Sequence, residues 1–273
     1  MTYTDFTTAP VMALHGSAST SKQWRSLCEY LEDRFYVITP DLPGYGAQPV
    51  AGSQNGFAAD ADPIIREIEK LGQPVHLVGH SYGGAVAMKI AILRPDLLVS
   101  LTVYEPVLFC LLQDTTDRNQ QFFNEMKMVA DSLSTAIAEN IPAAGMATFI
   151  DYWNGDGTWA QMPSVTQANF VSQIDAVSQN FVRAFEETVT LQELATINVP
   201  TMMMVGLDSQ HVTQQISSMI AQIIPNAKLA MMPCLGHMAP VNAAEWVNPR
   251  ILHHILEVEQ YRVTGTEALR WVA

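Results

Sequence analysis

Val75-His76-Leu77-Val78-Gly79-His80-Ser81-Tyr82-Gly83-Gly84-Ala85-Val86-Ala87 is the stretch that decides how this chain folds. A short β-branched, apolar run leads into Gly-x-Ser-x-Gly. Small residues follow, with helix-compatible apolar spacing out to Ile90 and Leu93. Strand, sharp turn and helix are therefore legible in one window. In that context the motif predicts a nucleophile elbow, a strained turn that lifts the serine Oγ clear of the sheet edge. Gly79 and Gly83 stand where side chains would collide as strand and helix close on each other.

Moving outward, short apolar runs alternate with helical patterns. Strands are predicted at Pro10–Leu14, Phe35–Thr39, Val99–Val103, Pro200–Gly206 and Ala227–Met232. Helices are predicted after Ser19-Thr20-Ser21, over Asp60–Leu71, Val212–Ile224 and Ala243–Val258, with a tail or short helix after Gln260. Residues 47–58 read as irregular surface. Such alternation, with fully apolar strands, indicates a mostly parallel sheet of about six strands covered on both faces by helices. The pattern breaks between Val107 and Ile197, where only helical segments fit, around 120–139, 143–153, 164–174 and 177–195. The expected organisation is an α/β core from 1–106 and 198–273, with a helical cap, 107–197, inserted after the Tyr104-Glu105-Pro106 strand end.

The 273 residues are 48% hydrophobic and 15% charged, enough for one sizeable core. A net charge of −13 argues against nucleic-acid or anionic-membrane partners, which require a basic surface. Cys28, Cys110 and Cys234 are odd in number and widely spaced, so neither a disulfide framework nor a metal spacing is implied. The N-terminus lacks a basic region followed by an apolar core, and no run reaches transmembrane length. A cytoplasmic location is the expectation; oligomeric state is not legible.

A serine nucleophile needs a base in reach, and the base needs a carboxylate to hold its tautomer. His237, in Gly236-His237-Met238-Ala239-Pro240 after the last strand, fits the base. Two carboxylates compete for the third place. Asp208 follows the strand ending at Gly206, but only two residues after that glycine. The expected spacing is three or four, where Ser209 and Gln210 stand instead. Glu105 closes the strand before the helical insert, at the C-terminal sheet edge where reacting groups gather; the balance leans towards it. The backbone N–H groups of Tyr82 and Ser17 are the expected oxyanion donors, Gly16 permitting the sharp bend of the His15-Gly16-Ser17-Ala18 loop.

Other residues take quieter readings. His76 and His80 flank a buried strand and are expected to be hydrogen-bonded structure. His253 and His254 lack a third ligand, so no metal is expected. Met202, Met203 and Met204 read as core. Asp151, Asn154 and Asp156 do not complete a calcium loop. Phe122, Phe149, Tyr152, Trp153 and Trp159 either line an acyl pocket or pack the cap.

Taken together, His15-Gly16-Ser17 with Trp24 behind it, Asp41-Leu42-Pro43-Gly44-Tyr45-Gly46, Gly79-His80-Ser81-Tyr82-Gly83-Gly84 and Gly236-His237-Met238-Ala239-Pro240 resemble the α/β-hydrolase family. The resemblance implies that fold, a helical cap and a cofactor-free Ser–His–acid mechanism. A subgroup resemblance, carried by Tyr104-Glu105-Pro106 and by Phe149 to Gly155, implies that the late aspartate is often missing and favours Glu105. The family's usual opening β-hairpin has no room here, so the sheet should be short at one edge. The implied activity is hydrolysis of a small carboxylic ester through an acyl-enzyme. Lactonase, thioesterase, carbon–carbon hydrolase and perhydrolase chemistry would use the same residues, and a small-molecule receptor on a hydrolase fold is the rival of another class.

Overall fold

The computed structural model describes residues 8–50, 56–113 and 115–264. Six strands form one sheet: β1 (Val11–Leu14), β2 (Val37–Ile38), β3 (Val75–His80), β4 (Leu98–Tyr104), β5 (Thr201–Gly206) and β6 (Ala227–Met232). Their spatial order is β2-β1-β3-β4-β5-β6 and every pairing is parallel. Sheet size and direction match the sequence expectation, and the short edge is β2, with two residues where five were expected.

The alternation of side chains along each strand divides the core in two. Val11 and Ala13 of β1 join Val78, Tyr104, Met202 and Met204 on one face. There they pack on α1 (Arg25–Leu31), through Leu27 and Leu31, and on α12 (Ala244–Thr264), through Val247, Ile251 and Ile255. Met12 and Leu14 point the other way, with Leu77, Leu101, Val103 and Met203. That face is covered by α2 (Ala58–Leu71), α3 (Ser81–Leu93) and α10 (His211–Ile223). The methionines of β5 are core, as expected.

Between β4 and β5 lies a helical insert without a strand among the described residues. It comprises α4 (Asp117–Ala138), α5 (Pro142–Asn154), α6 (Thr158–Gln161), α7 (Ser164–Val171), α8 (Ile174–Glu186) and α9 (Leu191–Leu194). The predicted helix over 177–195 is two helices. Glu187 turns extended, accepts the Thr188 and Val189 amides on its own carboxylate, and so ends α8. The last helix extends beyond its expected end at Val258 to Thr264, and α11 (Ala239–Asn242) precedes it as a separate turn. The tail after Thr264 and positions 51–55 of the expected surface stretch lie outside the described residues.

The strand order reverses between β1 and β3, whose last registered pair is Leu14 with Gly79. The loops leaving these two strands therefore part company over a crevice at the C-terminal sheet edge, the place where open α/β sheets bind ligands.

Candidate active site

The elbow is built by close approach. A Cβ on Gly79 would stand 2.6 Å from the Gly83 carbonyl, so strand and helix can meet only through glycine here. Ser81 itself holds φ 55°, a left-handed conformation that costs a non-glycine residue energy and turns its side chain out of the sheet.

His237 lies between two partners. Its Nε2 is 3.0 Å from Ser81 Oγ and its Nδ1 is 2.7 Å from Glu105 Oε2. All three side chains are buried. Glu105, also at positive φ (47°), has its other oxygen fully engaged: Oε1 accepts the Gly206 amide at 2.7 Å and the Ser209 hydroxyl at 2.5 Å. Three partners thus fix the position of the carboxylate, the Gly206 amide, the Ser209 hydroxyl and the His237 ring. Asp208 is not brought into the site. It is exposed, and its backbone amide is spent on the Leu235 carbonyl. The strand it follows ends too close for a side chain two residues on to turn inward, whereas Ser209, one residue later, is buried and reaches Glu105.

The His237 loop is braced from two sides. Tyr104 Oη donates to the Gly236 carbonyl at 2.9 Å, and His80 Nε2 donates to the His237 carbonyl at 2.9 Å. Burial first, and then the neighbouring His237, hold the His80 imidazole well below its ordinary range, so it is neutral. Its Nδ1 can then accept from Gln23 Nε2 at 3.1 Å. His76 is likewise structural, bonded to Ser100 and Glu259, and His254 to Thr102. Among the described residues no group of His, Cys, Asp and Glu could hold a metal.

The loop after β1 presents three consecutive amides. Gly16 N–H donates to Gln23 Oε1 and Ala18 N–H to Tyr45 Oη, leaving Ser17 N–H without a partner among the described residues. Tyr82 sits in the first turn of α3, where amides lack intrahelical acceptors. Its phenol is anchored elsewhere: it donates to the buried Asp60, which also pairs with Arg183 of α8.

A cavity of about 310 Å³ opens over Ser81 between the sheet edge and the insert. Phe109, Phe149, Trp153, Met162, Phe170 and Phe181 contribute to its apolar wall, and among the described residues no Asp, Glu, Lys or Arg lines it. Trp153 stacks on the His237 ring, centroids 4.1 Å apart. Of the insert aromatics singled out from sequence, Phe149 and Trp153 face this cavity, whereas Phe122, Tyr152 and Trp159 pack against the core. Sequence reasoning missed Gln23, Tyr45 and Asn180. Ser17 Oγ and Tyr45 Oη both donate to Asn180 Oδ1, across 163 and 135 residues of chain, and no local pattern announces such pairs.

A family model for the alpha/beta hydrolase fold matches residues 9–244. The chain is 26% identical, over 91% of its length and 92% of the other, to a Stutzerimonas stutzeri protein named "Putative carbamate hydrolase RutD". It is 25% identical, over 90% and 92%, to "Bifunctional esterase/perhydrolase DCH" of Acinetobacter calcoaceticus. The structure of MenH from S. aureus superposes with a TM-score of 0.75 at 22% identity, covering 92% of this chain and 95% of that one.

Proposed function

Since this chain belongs to the alpha/beta hydrolase fold family, we propose that it is a serine hydrolase of small, uncharged carboxylic esters, with residues 107–197 acting as the cap. The observation that carries the proposal is His237 bridging Ser81 and Glu105 at hydrogen-bond distance beneath an aromatic cavity with no Asp, Glu, Lys or Arg in its wall among the described residues.

In this reading His237 Nε2 takes the proton as Ser81 Oγ attacks the ester carbonyl. Glu105 keeps the Nδ1–H tautomer and stabilises the imidazolium. The Ser17 and Tyr82 amides receive the developing oxyanion. The tetrahedral adduct collapses, His237 protonates the departing alkoxide, and the acyl group stays on Ser81. Water then attacks with His237 again as base, releasing the acid and restoring the serine. Every proton is carried by His237, so no cofactor enters the scheme. A substrate carboxylate would find no Lys or Arg in the cavity wall among the described residues and would be desolvated unpaired, which favours neutral acyl groups.

Hydrolysis of 4-nitrophenyl butanoate by the wild type and by Ser81→Ala tests the proposal. The wild type should turn over, and the variant should lose at least about 10³ in kcat/KM. Equal, near-background rates across a panel of neutral esters would favour a receptor role instead.

A further inference from the structure

Asn180 lines the cavity from α8 and is itself 3% exposed. Its side-chain oxygen is pinned twice, by Ser17 Oγ at 2.8 Å and by Tyr45 Oη at 2.5 Å. The structure turns the amide with Oδ1 towards both hydroxyls. Tyr45 Oη accepts the Ala18 N–H and directs its one proton at Oδ1. Nδ2 is thereby fixed as the other end of the group, and it has no partner among the described residues. The other side-chain amides on the cavity wall are committed. Gln23 is spent at both ends, on Gly16 and His80, and Asn154 Nδ2 donates to the Ile150 carbonyl.

From this we infer that Asn180 Nδ2 is a pre-oriented donor that reads a second, neutral hydrogen-bond acceptor on the substrate, close to the scissile carbonyl. The substrate class is then an ester whose acyl chain carries an ether, keto or similar oxygen within a few bonds of C1, rather than a plain alkanoate. Closeness follows from Ser17, which contacts Asn180 and whose amide faces the reacting carbonyl in the reading above, on which this inference rests. In an otherwise apolar cavity, an acyl chain without an acceptor would strip this N–H₂ of water and leave it unpaired. Sites built around such donors discriminate against analogues that cannot pair with them.

The test walks one oxygen along a chain of constant length. Three 4-nitrophenyl esters are compared, pentanoate, ethoxyacetate and 3-methoxypropanoate, with wild type, Asn180→Leu and Asn180→Asp. Asn180→Asp keeps an acceptor for Ser17 and Tyr45, so it guards against misfolding of Asn180→Leu. Each oxa-ester rate is divided by the pentanoate rate of the same protein, so intrinsic reactivity cancels between proteins. For at least one oxygen position the wild-type ratio should exceed that of both variants by about tenfold, the worth of one matched hydrogen bond. Ratios agreeing within about twofold at both positions, against that tenfold expectation, overturn the inference. If the wild type hydrolyses none of the esters, the hydrolase reading falls on its own. The donor is then tested by titrating 2-hexanone, 1-ethoxypropan-2-one and 4-methoxybutan-2-one against tryptophan fluorescence. Tighter binding of an oxygenated ketone by wild type, lost in the variants, supports the inference, and equal binding refutes it.

Discussion

Ser81 and Glu105 are the residues immediately after the last registered pair of β3 and β4, His80 with Tyr104, and both turn left-handed there, at φ 55° and 47°. Two adjacent strands thus end in the same uncommon backbone conformation, one delivering a hydroxyl and the other a carboxylate to opposite nitrogens of one imidazole. Strain of this kind persists only where surrounding structure holds it.

The two carboxylates first considered for this place separate cleanly by substitution. Glu105→Gln should lower kcat by about 10³–10⁴, because the amide can present the wrong hydrogen-bonding end to His237. Asp208→Asn should leave turnover close to wild type. Ester kinetics with circular dichroism as the folding control decides it; the reverse pattern would remove Glu105 from the mechanism.

Ser209 occupies the position where an acid was expected and instead gives its hydroxyl to Glu105 Oε1. Ser209→Ala should cost roughly ten- to a hundredfold in kcat, with KM little changed, since a hydrogen bond to a buried charge is worth about 1.5–3 kcal/mol. Ser209→Thr should restore most of the loss. A kcat unaffected by the alanine would mean that the Gly206 amide alone suffices.

The insert is tied to the core by a buried ion pair, Arg183 with Asp60, to which the Tyr82 phenol also donates. Arg183→Met leaves Asp60 buried without its cation and should destabilise by about 3–5 kcal/mol in urea unfolding. Adding Asp60→Asn should recover much of that. Additive losses in the double variant would contradict the account.

Burial pushes the His254 imidazole down to about 3, with the neighbouring His76, Lys228 and His253 adding to the shift. Between that value and its ordinary 6.5 the unfolded chain binds the proton and the folded one does not. Stability therefore falls as pH drops below about 6.5, by up to about 1.4 kcal/mol per pH unit for this group. His254→Gln should flatten that acid slope in unfolding titrations between pH 6 and 4. An unchanged slope would assign the acid loss to other groups.

Much of this was legible beforehand because it is local. The elbow needs glycine at fixed positions around one serine, and Gly79 shows the steric reason at 2.6 Å. Parallel strands buried on both faces must be apolar, so β3, β4 and β5 announced themselves. β2 was expected at Phe35–Thr39, but its short extent was hidden, since how far it pairs with β1 is set by the neighbouring strand and not by its own residues. The break in α8 at Glu187 was also hidden, because the acceptor that ends the helix is a side chain choosing its own backbone.

By itself, then, the sequence determined the order of strands and helices, the elbow at Ser81, a candidate base at His237 and two candidate acids. Those are properties of short windows, set by periodicity, glycine sterics and turn chemistry. Only the tertiary structure decided that Glu105 meets His237 while Asp208 faces solvent, that Gln23 braces the loop after β1, and that Asn180 joins the insert to Ser17 and Tyr45. These contacts link side chains up to 163 residues apart. Their partners are chosen by how the sheet and insert pack, a choice that leaves no periodic trace along the chain.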